Sequence, residues 1–404
     1  MSRIVAVELA SLYDSRGRPT IESTVTLDSG AHARAGAPSG ESTSVHEVHA
    51  FPDGGVPEAL KTARERVVPA LVGMDAGDQA AVDRALHEVD GTPNFSRIGG
   101  NTSTAISVAA AMAFGAETHR PLWQVLARPG VDGRAFPAIV GNCMNGGRHA
   151  IGGPDFQEFI AFADAPDPRL SVAAAVRVHA LVGQALQKRL PGIALGRGDE
   201  GGWVAPLGNV EALEVLVEAC ARAREELGVP VHPGIDLAAS EFYRDGRYRY
   251  RDRQRDTEDQ VAFVAELVDR YGLQFLEDPL DEDAFDGFAL MTKAVGDKTV
   301  LVGDDIYATD VRRIQRGIDG RCSNSVLIKV NQIGTLTDAL AAVDLSRAHG
   351  LTTVSSHRSG EVPEGWLAHV ALGSAARGLK CGVVGGERVA KLNELLRLRA
   401  ATER

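Results

Sequence analysis

Cysteine is scarce. The four residues, Cys143, Cys220, Cys322 and Cys381, lie far apart with no Cys-x-x-Cys spacing. That argues against a disulfide framework or a thiolate zinc site and fits reduced, buried thiols in a cytoplasmic protein. None stands near a histidine at ligand spacing, so a thiol nucleophile is not expected. No apolar run reaches the ~20 residues of a membrane-spanning helix. The amino-terminal MSRIVAVELASLYDSRG lacks the longer apolar stretch and cleavage site of a secretory signal. Positive charge is in deficit, 43 Lys and Arg against 54 Asp and Glu, and the net −11 would repel a nucleic-acid backbone. A small anionic substrate remains compatible if a metal or local lysines reverse the field.

What is there is a chain of 404 residues, 44% hydrophobic and 24% charged, enough for two domains with ample core. Residues 3–36 alternate apolar and polar positions with turn signals between, which predicts a small antiparallel sheet. Helical spacing follows from Pro57 to about Val89, and a nearly all-apolar helix spans roughly Thr102–His119. The Gly- and Pro-rich run Arg128–Pro137 marks a boundary. The expected domains are an α+β unit over 1–130 and a second unit over 131–404.

In the second unit short apolar runs alternate with helical segments, with no dinucleotide-binding GxGxxG after a first strand. This favours a (β/α)8-type barrel whose strands all aim their carboxyl ends at one site. DGRYRYRDRQRD (245–256) interrupts the pattern and reads as a solvated hairpin tip; the helix after it opens with a capping box at Thr257.

The strand ends carry the chemistry. VHPGID ends on Asp236, LQFLED delivers Glu277, and TVLVGDD delivers Asp304. Three carboxylates in consecutive units, without Cys or His, make an all-oxygen site suited to Mg²⁺. Lys329, within SVLIKV, either snorkels from a barrel end or, beside a cation, loses pKa and serves as a base. Lys380 adds a second ammonium. His357-Arg358-Ser359 follows another strand and offers an oxyanion or phosphate clamp. Together they point to proton abstraction beside a metal-bound carboxylate. Two further segments say little by themselves: Pro38–Ser44 reads as a hydroxyl-rich surface loop, and Asp199-Glu200-Gly201-Gly202 as a solvated turn.

With YDSRGRPT, APSGEST, NGGRHA with QEF, GDEGG, IDLAASEFY, LEDPLDEDAFDGF, LVGDD, LIKVNQIGTLTDAL, SHRSGE and ERVAK in place, the chain resembles the enolase family nearly end to end. The resemblance implies an α+β cap before a modified (β/α)8 barrel, and a lyase that removes the C2 proton of 2-phosphoglycerate and eliminates water to give phosphoenolpyruvate. It implies that Asp236, Glu277 and Asp304 hold a first Mg²⁺, that Ser42 helps hold a second recruited with substrate, and that Lys329 is the base. It implies that Glu200 protonates the departing hydroxyl with Glu158 beside it, that Lys380 faces the substrate carboxylate, and that His149, Gln157, His357, Arg358 and Ser359 surround substrate and phosphate. Glu200 is expected to be the protonated carboxyl. A homodimer is implied too.

Some positions depart from the family's usual pattern. The loop reads SGESTS, with Glu41 and Ser44 where a small residue and a glycine are usual. Ile151–Pro154, Val362–Glu364 and Gly385-Gly386 also differ. These departures suggest a paralogue, the alternative being a carboxyphosphonoenolpyruvate synthase-like enzyme that joins a phosphonoformyl group to a 2-phosphoglycerate-derived skeleton.

Overall fold

The structure, a computed structural model, describes residues 1–41 and 43–403. The amino-terminal sheet forms as the alternation predicts: β1 (Ile4–Tyr13), β2 (Pro19–Leu27) and β3 (His32–Gly36) pair antiparallel in sequence order. Its inner face meets the helix Gly100–Glu117, whose Ala, Ser and Thr side chains allow close approach and are buried almost all round. Helices Gly55–Thr62, Val68–Leu71 and Gln79–Asp90 complete this unit.

The carboxyl-terminal unit is a closed eight-stranded barrel. Its strands are β4 (Ala138–Asn145), β5 (Glu158–Ala163), β8 (Val231–Asp236), β12 (Phe275–Glu277), β13 (Val300–Gly303), β14 (Ser325–Ile328), β15 (Thr352–Ser356) and β16 (Gly378–Gly382), with β16 closing on β4. Short strands β6 (Gly196–Arg197) and β7 (Trp203–Val204) extend the sheet beside β4. One expectation fails: the strands do not all point the same way. β5 is antiparallel to both β4 and β8, so its first residue, Glu158, lies at the mouth where other strands end. Helices including Pro168–Arg189, Asn209–Leu227 and Leu336–Ala348 wrap the outside.

The barrel interior is a single apolar plug of Ala138, Val140, Ile160, Phe162, Phe275, Val302, Leu327 and Val354, separate from the larger core outside the strands. Side chains alternate sides along a strand, so residues two apart face the same way.

The insert 245–256 is not the solvated tip expected. β9 (Tyr243–Arg244), β10 (Arg247–Arg249) and β11 (Gln254–Arg255) form a small antiparallel sheet. It buries Tyr248, Tyr250 and Arg255 because the aromatic rings cover the flank of helix Thr257–Tyr271. That helix is capped one residue earlier than predicted, by Asp256, whose carboxylate accepts from the Asp259 amide. All four cysteines are free and buried, as expected.

Candidate active site

The period of two places the site. Two residues beyond plug residues Phe275, Val302 and Leu327 stand Glu277, Asp304 and Lys329. Gly234 and Gly378 precede Asp236 and Lys380 in the same way. On antiparallel β5 the direction reverses, and Glu158 lies two residues before Ile160. Glu158, Asp236 and Glu277 are register partners across β5, β8 and β12. One ring of charged groups therefore sits on an apolar floor.

Lys380 Nζ is the hub. It lies 3.1 Å from Glu158 Oε1, 3.1 Å from Asp236 Oδ2 and 2.7 Å from Glu277 Oε2. Burial opposes its charge, but Asp236, Glu158 and Glu277 outweigh burial and hold the ammonium well above its usual pKa. Burial, then repulsion from Asp236, push the Glu277 carboxyl up to about 8, against the pull of Lys380. Lys329 Nζ is paired with Asp304 Oδ2, whose other oxygen accepts from Gln332 Nε2 at 2.9 Å. Burial works against the Lys329 charge too, and Asp304 more than restores it, so its pKa is raised.

Of the three predicted metal residues, Asp236 and Glu277 thus meet on Lys380, while Asp304 pairs with Lys329 and has a ligand oxygen within 4.8 Å of those of Asp278 and Asp305. The donor set of the three fits a hard divalent cation: every donor is oxygen, all three are buried, and repulsion from Asp236 and Asp304 adds to burial in lifting Glu277. Asp278 belongs to the support. Its two oxygens accept the backbone N–H groups of Asp304 and Asp305 at 2.9 and 2.8 Å, fixing the turn that aims Asp304.

The opposite wall comes from upstream. Glu200 is only 3% exposed, so the solvated-turn reading of its segment is wrong; the turn folds back over β4 and inserts the side chain. Asn142 Nδ2 donates to Glu200 Oε2 at 2.9 Å, and one ligand atom each of His149, Glu158 and Glu200 lies within 4.8 Å of the others. Burial and the Glu200 charge push Glu158 well above the carboxylate range. Burial opposes a charge on Glu200 as well, but His357, His149 and the Arg388 guanidinium hold it well below. The two carboxyls are thus driven in opposite directions by their surroundings.

His357 is itself pushed down by burial to about 4, against the pull of Glu200. Its Nε2 lies 3.2 Å from Glu200 Oε2, in reach though not aligned. Gln157 Nε2 reaches Asp236 Oδ2 at 3.4 Å, leaving its Oε1 unpartnered. Arg358 is held by a residue the sequence reading passed over. Glu47 takes Nη1 and Nη2 in a two-pronged pair at 2.9 and 3.0 Å, and Asn331 Oδ1 accepts from Nη1 at 2.9 Å. Gly40 lies against this guanidinium, where a Cβ would collide with Nη2. Ser359 lines the cavity beside Arg358. Ser42 lies outside the described residues.

Neighbouring Glu41 is pinned by Arg16 Nη1 and, at 2.7 Å, by Arg18 Nη1, and the hydrogen bond from Arg16 keeps its pKa low. Ser44 Oγ bonds Glu282 Oε2 at 2.5 Å. Glu41 and Ser44 are thus docked, where the sequence suggested a free surface loop.

Among the named residues, His149, Gln157, Glu158, Glu200, Asp236, Asp304, Lys329, His357, Arg358, Ser359 and Lys380 enclose a cavity of about 20 Å³, room for about one water. It shares Gly40 and Arg358 with a wider cleft of about 600 Å³ under the 38–51 segment. The large space is the less chemical one, and the tight polar cavity holds the reactive groups.

Comparison with known proteins agrees with this geometry. Residues 4–126 match the family model "Enolase, N-terminal domain", and residues 134–403 match "Enolase, C-terminal TIM barrel domain". The chain is 45% identical over 402 residues to the enolase of Natronomonas pharaonis, covering 99% of this chain and 100% of that one. It is 44% identical to the enolase of Halorubrum lacusprofundi (98% and 99% covered) and 43% identical to that of Methanothermobacter thermautotrophicus (98% and 96% covered). A closed barrel with its ring of acids and lysines, two family models that together span nearly the whole chain, and end-to-end identity of this order leave one conclusion: the chain belongs to the enolase family.

Proposed function

We propose that this chain is a Mg²⁺-dependent lyase that dehydrates 2-phosphoglycerate to phosphoenolpyruvate. The observation that carries it is one buried cavity lined by a lysine base candidate, the close Glu158–Glu200 carboxyl pair, and strand-end carboxylates with a hard-cation donor set. The relatives named enolase support the same activity, and nothing among them supports the phosphonate alternative.

Asp236, Glu277 and Asp304 would hold the metal, with a second site at Ser42. Mg²⁺ bound there supplies positive charge against the negative charge that builds on the substrate carboxylate. Lys380 adds its ammonium to that task. Lys329 Nζ takes the C2 proton. Its pKa is high while Asp304 faces it; with the Asp304 charge neutralised, burial and the nearby Arg358 and Lys380 cations lower it towards the free amine. The Glu158–Glu200 pair gives its proton to the C3 hydroxyl, which leaves as water. His149, Gln157, His357, Arg358 and Ser359 position substrate and phosphate. We place the domain boundary near residue 130 and expect a cytoplasmic homodimer; no helix among the described residues is long and apolar enough to cross a membrane.

The test is direct. With Mg²⁺ and 2-phosphoglycerate, phosphoenolpyruvate should accumulate, and a chelator should stop it. No turnover of 2-phosphoglycerate under saturating Mg²⁺ would overturn the reading.

A further inference from the structure

The insert between β8 and the helix Thr257–Tyr271 carries a buried cation that the catalytic site does not use. Arg255 is 9% exposed. Its Cζ lies 3.7 Å from the ring centroid of Phe263 and 4.7 Å from that of Tyr250. Ring faces meet the charge of a guanidinium but are poor acceptors for its N–H donors. Among the described residues no carboxylate pairs with this guanidinium, and no side chain or carbonyl accepts from it.

Its neighbours are committed. Arg251 pairs with Asp155 at 3.3 Å, and Arg253 with Asp252 at 2.9 Å. Glu211 accepts the Gly208 amide at 3.0 Å, closing the nearby helix start. Glu266 stands exposed on the rim, where water screens it. A cleft of about 450 Å³ opens onto Arg255 between the insert, the start of helix Asn209–Leu227 and the Pro154–Asp155 turn. It shares no lining residue with the catalytic cavity.

A buried guanidinium without an anion is costly, and its planar fork matches an oxyanion. Burial accordingly pulls its pKa below the usual arginine value. We propose that the cleft at Arg255, walled by Tyr250 and Phe263, is a binding site for a small carboxylate- or phosphate-bearing anion, separate from the catalytic cavity. The oxyanion takes the N–H edge of Arg255, while the two rings hold that edge rigid. The far wall, Asp155, lies two residues before Gln157; its N–H donates to Asn209 Oδ1 at 2.7 Å and its Oδ2 accepts from Asn209 Nδ2 at 3.1 Å, so the site backs onto the segment that delivers Gln157 and Glu158.

The test is calorimetric titration of the full Mg²⁺-loaded protein with succinate and, separately, with inorganic phosphate, alongside Arg255→Met. The wild type should bind at least one of the two at one site per chain, and R255M should weaken that binding at least tenfold while keeping wild-type turnover. Binding of succinate alone assigns a carboxylate, and of phosphate alone a phosphate. If R255M does not fold, selective protection of Arg255 from phenylglyoxal in the wild type, read by peptide mass mapping, supports the site instead. Absence of binding by either anion to the wild type overturns the proposal, as does equal binding by R255M.

Discussion

Arg388 Nη1 lies 2.7 Å from His357 Nδ1. A guanidinium only donates, so Nδ1 must accept, and neutral His357 carries its hydrogen on Nε2, the nitrogen facing Glu200. Arg388 is fully buried and donates as well to the carbonyls of Arg358, Asp199 and Ser359. One side chain thus orients the imidazole and ties the Glu200 turn to the Arg358 clamp. Arg388→Lys keeps the charge and loses the fork. It should lower kcat about 10- to 100-fold, the range seen when an outer support of a site group is removed. Nitrogen-15 NMR of the wild type should show His357 protonated on Nε2. A protonated Nδ1 would refute the tautomer assignment.

Lys329 is the base proposed for C2. Lys329→Ala should lower kcat/KM about 10²- to 10⁴-fold, the usual reach of general base catalysis. It should also abolish exchange of the C2 hydrogen with deuterated water, followed by proton NMR. Exchange at the wild-type rate would remove Lys329 from that role.

Glu41 is held by Arg16 and Arg18, while Arg16 Nε also reaches Asp199 at 3.3 Å. The loop is therefore strapped to the turn that carries Glu200. Partly exposed pairs are worth little each, so Glu41→Ala should raise KM only about two- to fivefold and leave kcat nearly unchanged. Hydrogen exchange should quicken at the Gly40 and Thr43 amides. Unchanged exchange would mean the strap is not what orders the loop.

Glu364 accepts the Gly36 amide on both oxygens at 3.0 Å and is pushed up to about 7, mainly by burial. Its folded pKa is raised, so the folded state holds the proton more tightly than the unfolded chain. Stability should therefore fall as pH rises from the unfolded carboxyl range through about 7. Glu364→Gln should flatten that part of the melting-temperature profile and raise Tm above pH 7. A profile parallel to wild type would show that Glu364 does not titrate there.

Much of the site was legible in the sequence because its residues close apolar runs. Asp236, Glu277 and Asp304 are visible that way, as is Lys380, and alternation alone turns each to the face its plug neighbour occupies. Glu200 was visible only through its family motif, since its own surroundings in sequence are glycines and charges. Glu47 and Arg388 carried no signal of their role. Each gains meaning only from partners on other elements: Arg358, 311 residues on, for Glu47, and His357 and Asp199, 31 and 189 residues back, for Arg388. The insert misled for a related reason: a charged string reads as solvated until two aromatic rings fold over one of its arginines.

Composition, the period of two and the motifs determined the fold class, the identity of the acids and lysines, and the family. Those features are local, and local pattern dictates which residue type meets which face. Tertiary structure decided the direction of β5, the docking of Glu41, the tautomer of His357 and the opposite directions in which the Glu158 and Glu200 carboxyls are driven. Each of these depends on distance and burial between residues remote in the chain. Electrostatic energy is a function of separation and dielectric environment, and neither is written in the order of the residues.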